Sequence, residues 1–167
     1  MAKSVGKIFE EEVKASFPPD FFVERYKDDT AGFKGVANPA DFRVYKYPYT
    51  FLLELKSHKG KSLPLSKIRL EQIKGMYKAS QNRGVTAGFL VNYRDFEETY
   101  FVPAGDVVNG YYIVENGAVK EINPIGRKSI PIEWCRAWGV RIPQQKKRVR
   151  YTYDLQSWLG GYYGGYM

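Results

Sequence analysis

"PADFRVYKYPYTFLLELKSHKGK", residues 39–61, is the stretch on which the fold turns. "DFRVY" and "TFLLELK" alternate apolar and polar residues and are joined through "KYPY", the pattern of an antiparallel hairpin. Pairing Tyr45 with Thr50 across the connection from Lys46 to Tyr49 sets Arg43 opposite Leu52 and Asp41 opposite Glu54. Side chains alternate along a strand, so Asp41, Glu54 and Lys56 share one face. Phe42, Val44, Phe51, Leu53 and Leu55 share the other, which is a core face. Like charges directly opposite each other, with Cβ atoms roughly 4.5–5.5 Å apart, weaken a sheet unless something positive lies between them. A divalent metal meets that need, and magnesium in particular is commonly held by one or two carboxylates together with a substrate phosphate. Lys56 could orient or deprotonate an attacking water, or neutralise charge building on the phosphate. These are the parts of metal-assisted phosphodiester hydrolysis. The competing reading is a solvated sheet face on which Lys56 or Arg43 simply pairs with offset carboxylates.

Outward from the hairpin, the chain alternates helical and strand patterns. Upstream, "SVGKIFEEEVKASFPPD" predicts an amphipathic helix with Ser4 as N-cap, Phe9, Val13 and Phe17 every four residues, and Pro18-Pro19 as the stop. "FFVERY" then predicts a short strand, and "KDDTAGFKGVANPA" a loop or irregular hairpin with a lone aromatic, Phe33. Downstream, "SHKGKSLP" reads as a polar connector to a second helix marked by Leu70, Ile73 and Tyr77, with Gly84 placed for a left-handed cap. "VTAGFLVNY" and "ETYFVP" are two apolar strands, completing an α-β-β-β-α-β-β order in which helices and a mixed sheet share a core. Past residue 104 the pattern weakens. "YYIVENGAVKEI" predicts a hairpin turning at Asn116-Gly117, "IPQQKKRVRYTYDLQSW" is basic and aromatic, and the Gly/Tyr-rich end, 156–167, reads as a flexible tail after a single domain over 1–155.

The 167 residues suffice for one domain with a proper core. A net charge of +8 and 16% aromatic residues favour a nucleic-acid partner, because cationic surfaces release counterions from phosphates and aromatic faces stack on bases. One cysteine, Cys135, and one histidine, His58, exclude an internal disulfide framework and a Cys/His zinc site within one chain, so any metal must sit on carboxylates. With no run of 18 apolar residues and a charged beginning, the expectation is a protein without membrane association, in the cytoplasm.

"NPADF" followed by "LLELK" resembles the PD-(D/E)xK nuclease motif, and the wider pattern resembles RecU-type Holliday junction resolvases. The resemblance also rests on Gly6-x-x-x-Glu10 in the first helix, the loop before Asp41, "SLPLSKIRLEQIKGM", "TYFVPAGDV" and "GRKSI" at 126–130, and so extends to about residue 155. It implies a restriction-endonuclease-like α/β fold, a mixed β-sheet flanked by helices, with a stalk loop protruding over about 27–40. It implies a homodimer that resolves four-way DNA junctions by paired Mg2+-dependent cuts, Mn2+ being able to substitute. Within the same superfamily, a nuclease for linear or flap DNA is the alternative, and a non-catalytic branched-DNA-binding protein is the alternative outside it. A bacterial cell, or a host cell if the protein is phage-encoded, would be its setting.

By that resemblance Asp41 and Glu54 are metal ligands, Lys56 is the catalytic lysine, and a glutamate of the first helix completes the site. Glu10, spaced from Val13 and Phe17 so as to reach the sheet, is the first choice and Glu11 the second, with Glu11 and Glu12 placed more toward the flank. Gln72 matches a glutamine of the family's second helix and is implied to place water or phosphate; its plain reading is a solvated helix residue. Phe33, beside Lys34, is implied to wedge into the branch point, where stacking is already broken and unstacking costs least. Lys59, Lys61, Lys67, Arg127, Lys128, Lys146 and Arg148 are expected phosphate contacts, which position DNA without reading its sequence.

Overall fold

The computed structural model of the chain describes residues 2–26 and 40–164, the last five of these as backbone. Helix α1, Val5–Ser16, begins where the Ser4 hydroxyl accepts from the Lys7 amide at 3.3 Å and ends before Pro18. Strands β1, Phe22–Arg25, β2, Phe42–Lys46, and β3, Tyr49–His58, follow. Next come β4, Ser62–Pro64, α2, Leu70–Ser80, β5, Val85–Tyr93, and β6, Glu98–Pro103. The remaining elements are α3, Ala104–Tyr111, β7, Tyr112–Glu115, β8, Ala118–Ile122, β9, Ser129–Pro131, and α4, Ile132–Trp138. Strands β10, Val140–Ile142, β11, Gln144–Lys147, and β12, Arg150–Tyr153, lead to α5, Leu155–Gly164.

The central sheet has the order β1-β2-β3-β5-β6-β10, and only the β3–β5 pair is parallel. The register of β2 on β3 matches the expected one: Tyr45 opposite Thr50, Arg43 opposite Leu52. The turn is tighter than expected, because Lys46 and Tyr49 already pair and Tyr47-Pro48, joined by a cis peptide, form the loop.

Both faces of the sheet are covered, which makes the fold a three-layer α/β/α arrangement. Phe42, Val44, Phe51, Leu53, Leu55, Leu90 and Phe101 pack against Phe9 and Val13 of α1 and Trp158 and Leu159 of α5. On the opposite face Leu52, Phe89, Val91 and Val102 pack under Ile73 and Met76 of α2 and Val107 and Val108 of α3. β4 pairs with β9 on this second side, adding Leu63 and Ile130. The expected solvated face therefore does not exist around Leu52. The site residues occupy the end of a second core.

Two other expectations are corrected. The segment 156–167 was expected as a flexible tail, but Leu155–Gly164 is helical, and Trp158 and Leu159 are 3% and 1% exposed. The Trp158 ring meets Phe101 at 4.6 Å and Phe51 edge-on at 5.9 Å, so aromatic burial outweighs the low helix propensity of the glycines. Residues 165–167 lie outside the described residues. Gly84 does not cap α2: the helix closes at Gln81, and Gly84, at φ +82°, turns the chain into β5.

Candidate active site

Asp41 precedes β2 by one residue and continues its register, so its side chain lies at the end of the hairpin next to Glu54. One carboxylate oxygen of Asp41 accepts from the Leu55 amide at 2.8 Å, and its carbonyl accepts from the Tyr26 amide at 2.9 Å. Glu54 is 4% exposed, its Oε1 lies 3.1 Å from Lys56 Nζ, and its Oε2 is buried with no hydrogen-bond partner. Burial, and then the negative charge of Glu54, push the Asp41 carboxyl up to about 7; the Leu55 amide and Lys56 oppose this only in part. Two carboxyls crowded this way, one oxygen of them unsatisfied, form a receptacle for positive charge.

Among the described residues no group of three or more His, Cys, Asp or Glu comes together as a metal-binding cluster. The donor set is the carboxylate pair, which suits a hard cation that keeps most of its waters. Arg43 does not belong to it, because its guanidinium is 2.5 Å from Glu24 on the neighbouring strand.

On α1 the structure separates the three glutamates. Glu10 accepts from Arg25 Nε at 2.8 Å and its charge adds to the upward push on Asp41, so it lies beside the site. Glu11 is paired with Lys3 at 2.8 Å and faces Arg150 at 3.7 Å, away from the sheet. Glu12, expected on the flank, is buried instead. It stands three residues after Phe9 and one before Val13, which puts it on the same helix face; the four-residue spacing alone hid that. Gln72 is also corrected: it is buried on α2, with Oε1 lacking a partner, and is not a solvated helix residue.

Lys59, Lys61 and Lys67 are exposed around the loop that leaves β3. The β4–β9 pairing brings Lys128 next to them, its carbonyl accepting from the Leu65 amide at 2.9 Å, with Arg127 exposed beside it. Lys146 and Arg148 lie on the β11–β12 hairpin, packed against α1 on the opposite side of the sheet, and Lys146 Nζ sits 5.9 Å from the Tyr151 ring centre. Phe33 and Lys34, with the rest of the expected stalk up to residue 39, lie outside the described residues.

Sequence reasoning missed Arg94, whose Nη1 donates to the Ser57 hydroxyl at 3.1 Å, one residue beyond Lys56. Its signal was position: it follows directly on β5, the parallel partner of β3, and ligands gather at the C-terminal ends of parallel strands.

The chain resembles known proteins in sequence and in fold. The chain is 34% identical over 173 aligned positions to the SPbeta prophage-derived protein YotM of Bacillus subtilis, covering 95% of this chain and 87% of the relative. It is 30% identical to the Holliday junction resolvase RecU of Lactococcus lactis over 78% of this chain, and 26% identical to that of Streptococcus thermophilus over 71%. Each of these two alignments spans 54% of the resolvase, so the chain spans about half their length. Among solved structures, Hjc of Archaeoglobus fulgidus, a Holliday junction resolvase, superposes with a TM-score of 0.51 at 12% identity over 81% of this chain and 93% of that one, which supports the restriction-endonuclease-like fold. The family model of Recombination protein U matches residues 37–157, and the chain belongs to the RecU family.

Proposed function

We propose that the protein is a divalent-metal-dependent endonuclease that resolves four-way DNA junctions. The observation that carries this is the crowded Asp41–Glu54 pair with its unpartnered oxygen and Lys56 alongside, in a chain of the RecU family. Asp41 and Glu54 hold Mg2+, with Mn2+ as a substitute, and Glu10 supports them from α1. Bound there, the cation supplies Lewis-acid stabilisation of the phosphoryl oxygens and lowers the pKa of water. Lys56, tied to Glu54, presents its ammonium to the phosphate as charge builds, and Gln72 offers its unpartnered oxygen to water. Water attacks phosphorus, the bond to O3′ breaks, and a 3′-hydroxyl and a 5′-phosphate result.

Exposed lysines and arginines on both sides of the sheet, around β4–β9 and on β11–β12, contact phosphates of the arms. Phe33 and Lys34 reach the branch point. Two symmetric cuts need two sites, supplied by a C2 homodimer. No described helix is long and apolar enough to cross a membrane, and the cytoplasm, where DNA is recombined, is the proposed location.

The test is cleavage of a labelled four-way junction against matched linear and flapped duplexes in Mg2+ and in Ca2+. Paired nicks near the branch point, confined to the junction and to Mg2+, are expected. Equal cutting of the linear duplex contradicts the resolvase reading, and binding without cutting contradicts the enzyme.

A further inference from the structure

Beyond Leu55, Leu90 and Phe101, which lie side by side on β3, β5 and β6, the next rung toward the strand ends is Ser57, Asn92 and Thr99. Three adjacent strands thus change from apolar to polar at the same level, on the face that α1 covers. The rung is fully wired. Arg94 donates to Ser57, Ser57 Oγ to Asn92 Oδ1 at 3.2 Å, Asn92 Nδ2 to Thr99 Oγ1 at 2.9 Å, and Thr99 to Gln144 Oε1 at 2.7 Å. Asn92 and Thr99 are buried. A fully satisfied polar network of this kind holds its members rigidly in place.

Ser57, Asn92, Arg94 and Gln144 of this network form the floor of a cavity of about 280 Å³ between α1 and the β11–β12 hairpin. It is far larger than the roughly 30 Å³ share of one water. Its lining includes Val149, which is 83% exposed, and Glu12, which is buried at 9% exposure. Ser57 is the residue after Lys56 on β3, so floor and reaction centre belong to consecutive residues of one strand. They face opposite sides of the sheet, and a DNA strand crossing the C-terminal ends of β3 and β5 reaches both.

We propose that this cavity takes one base of the cleaved strand and that Glu12 reads it, an inference that rests on the resolvase function proposed above. Bases at a branch point are already partly unstacked, so turning one out costs least there. A carboxylate accepts hydrogen bonds only. Guanine presents adjacent N1–H and N2–H donors that match it, whereas thymine sets its carbonyl oxygens against it. The pocket therefore favours guanine and rejects thymine next to the cut.

The test uses four-way junctions carrying each of the four bases on either side of the mapped cut, with the wild type, Glu12→Gln and Val149→Trp. The wild type is expected to cut the guanine junction at least tenfold faster than the thymine junction, the discrimination a two-point base contact provides. Glu12→Gln, which loses one acceptor, brings the ratio to within about twofold. Val149→Trp fills the cavity from an exposed position and does the same while its melting temperature stays at the wild-type value. Dissociation constants of the guanine and thymine junctions in Ca2+ give the same ratio without cutting. They test the pocket even if the protein only binds. A wild-type ratio near one, or a ratio that survives both substitutions, overturns the proposal. Absence of cutting on every junction, with the guanine ratio intact in binding, overturns the resolvase reading alone.

Discussion

Asp41 carries the clearest physical consequence at the scale of single residues. Its carboxyl titrates near 7 in the folded protein because it is buried against Glu54, but near 3.8 when the chain is unfolded. Below about pH 4 both states are protonated. Between about pH 4 and 7 the folded state holds the extra proton, so metal-free stability falls as pH rises through that window. The loss is roughly 4 kcal/mol, at about 1.36 kcal/mol for each tenfold change in proton affinity. Melting in EDTA should therefore show Asp41→Asn gaining on the wild type as pH goes from 5 to 8, by several degrees; equal pH profiles would contradict the crowding of the two carboxyls. Adding Mg2+ at pH 8 should raise the wild-type melting temperature and leave that of Asp41→Asn unmoved. Asp41, Glu54 and Lys56 were legible in the sequence because a two-residue period and one hairpin connection fix their shared face. Glu12 was not, because a carboxylate on an apolar helix stripe is outvoted by its neighbours when only apolar spacing is counted.

At the scale of elements, α5 tests how the core is closed. Trp158 fills the space between Phe51 and Phe101, and Trp158→Ala should cost about 3–5 kcal/mol, measured by urea unfolding. A cost below about 1 kcal/mol would mean that α5 is dispensable and that a flexible end was the better description. Glycines and tyrosines gave this helix no pattern of its own, and its formation depends on an aromatic socket made by strands about 60 to 100 residues earlier. The β5–β6 pair offers a second check. A Cβ added at Gly88 would lie 2.5 Å from the Val102 carbonyl and 2.6 Å from the Phe101 ring, so Gly88→Ala should prevent normal folding, read as loss of soluble, cooperatively melting protein. The hairpin β11–β12 was hidden as well, because its strands are polar and basic and draw their register from packing on α1.

For the whole molecule, the sheet separates two cores, and the proposed chemistry sits toward the end of the parallel pair β3–β5, between them. Basic residues flank that end from both sides, the Lys59–Lys67 and Arg127–Lys128 group on one and the β11–β12 hairpin on the other. Neutralising Lys67 or Lys146 should weaken junction binding equally for all sequences and reduce the slope of log affinity against log salt by about one. An unchanged slope would take the residue out of the interface. The order of elements through β6 could be read from periodicity except for the short β4, read as a polar connector, whereas the covering of the second face could not, since α3, α4 and β9 are short and their apolar residues meet only in space. The most direct test of the account is the single-turnover cleavage rate of a four-way junction in Mg2+ for the wild type, Asp41→Asn, Glu54→Gln and Lys56→Ala, each at saturating protein. The prediction is a loss of at least a hundredfold in each variant with junction affinity within about threefold of wild type, in keeping with a group that acts on the reacting phosphate. Cleavage at the wild-type rate by Asp41→Asn or Glu54→Gln would contradict it.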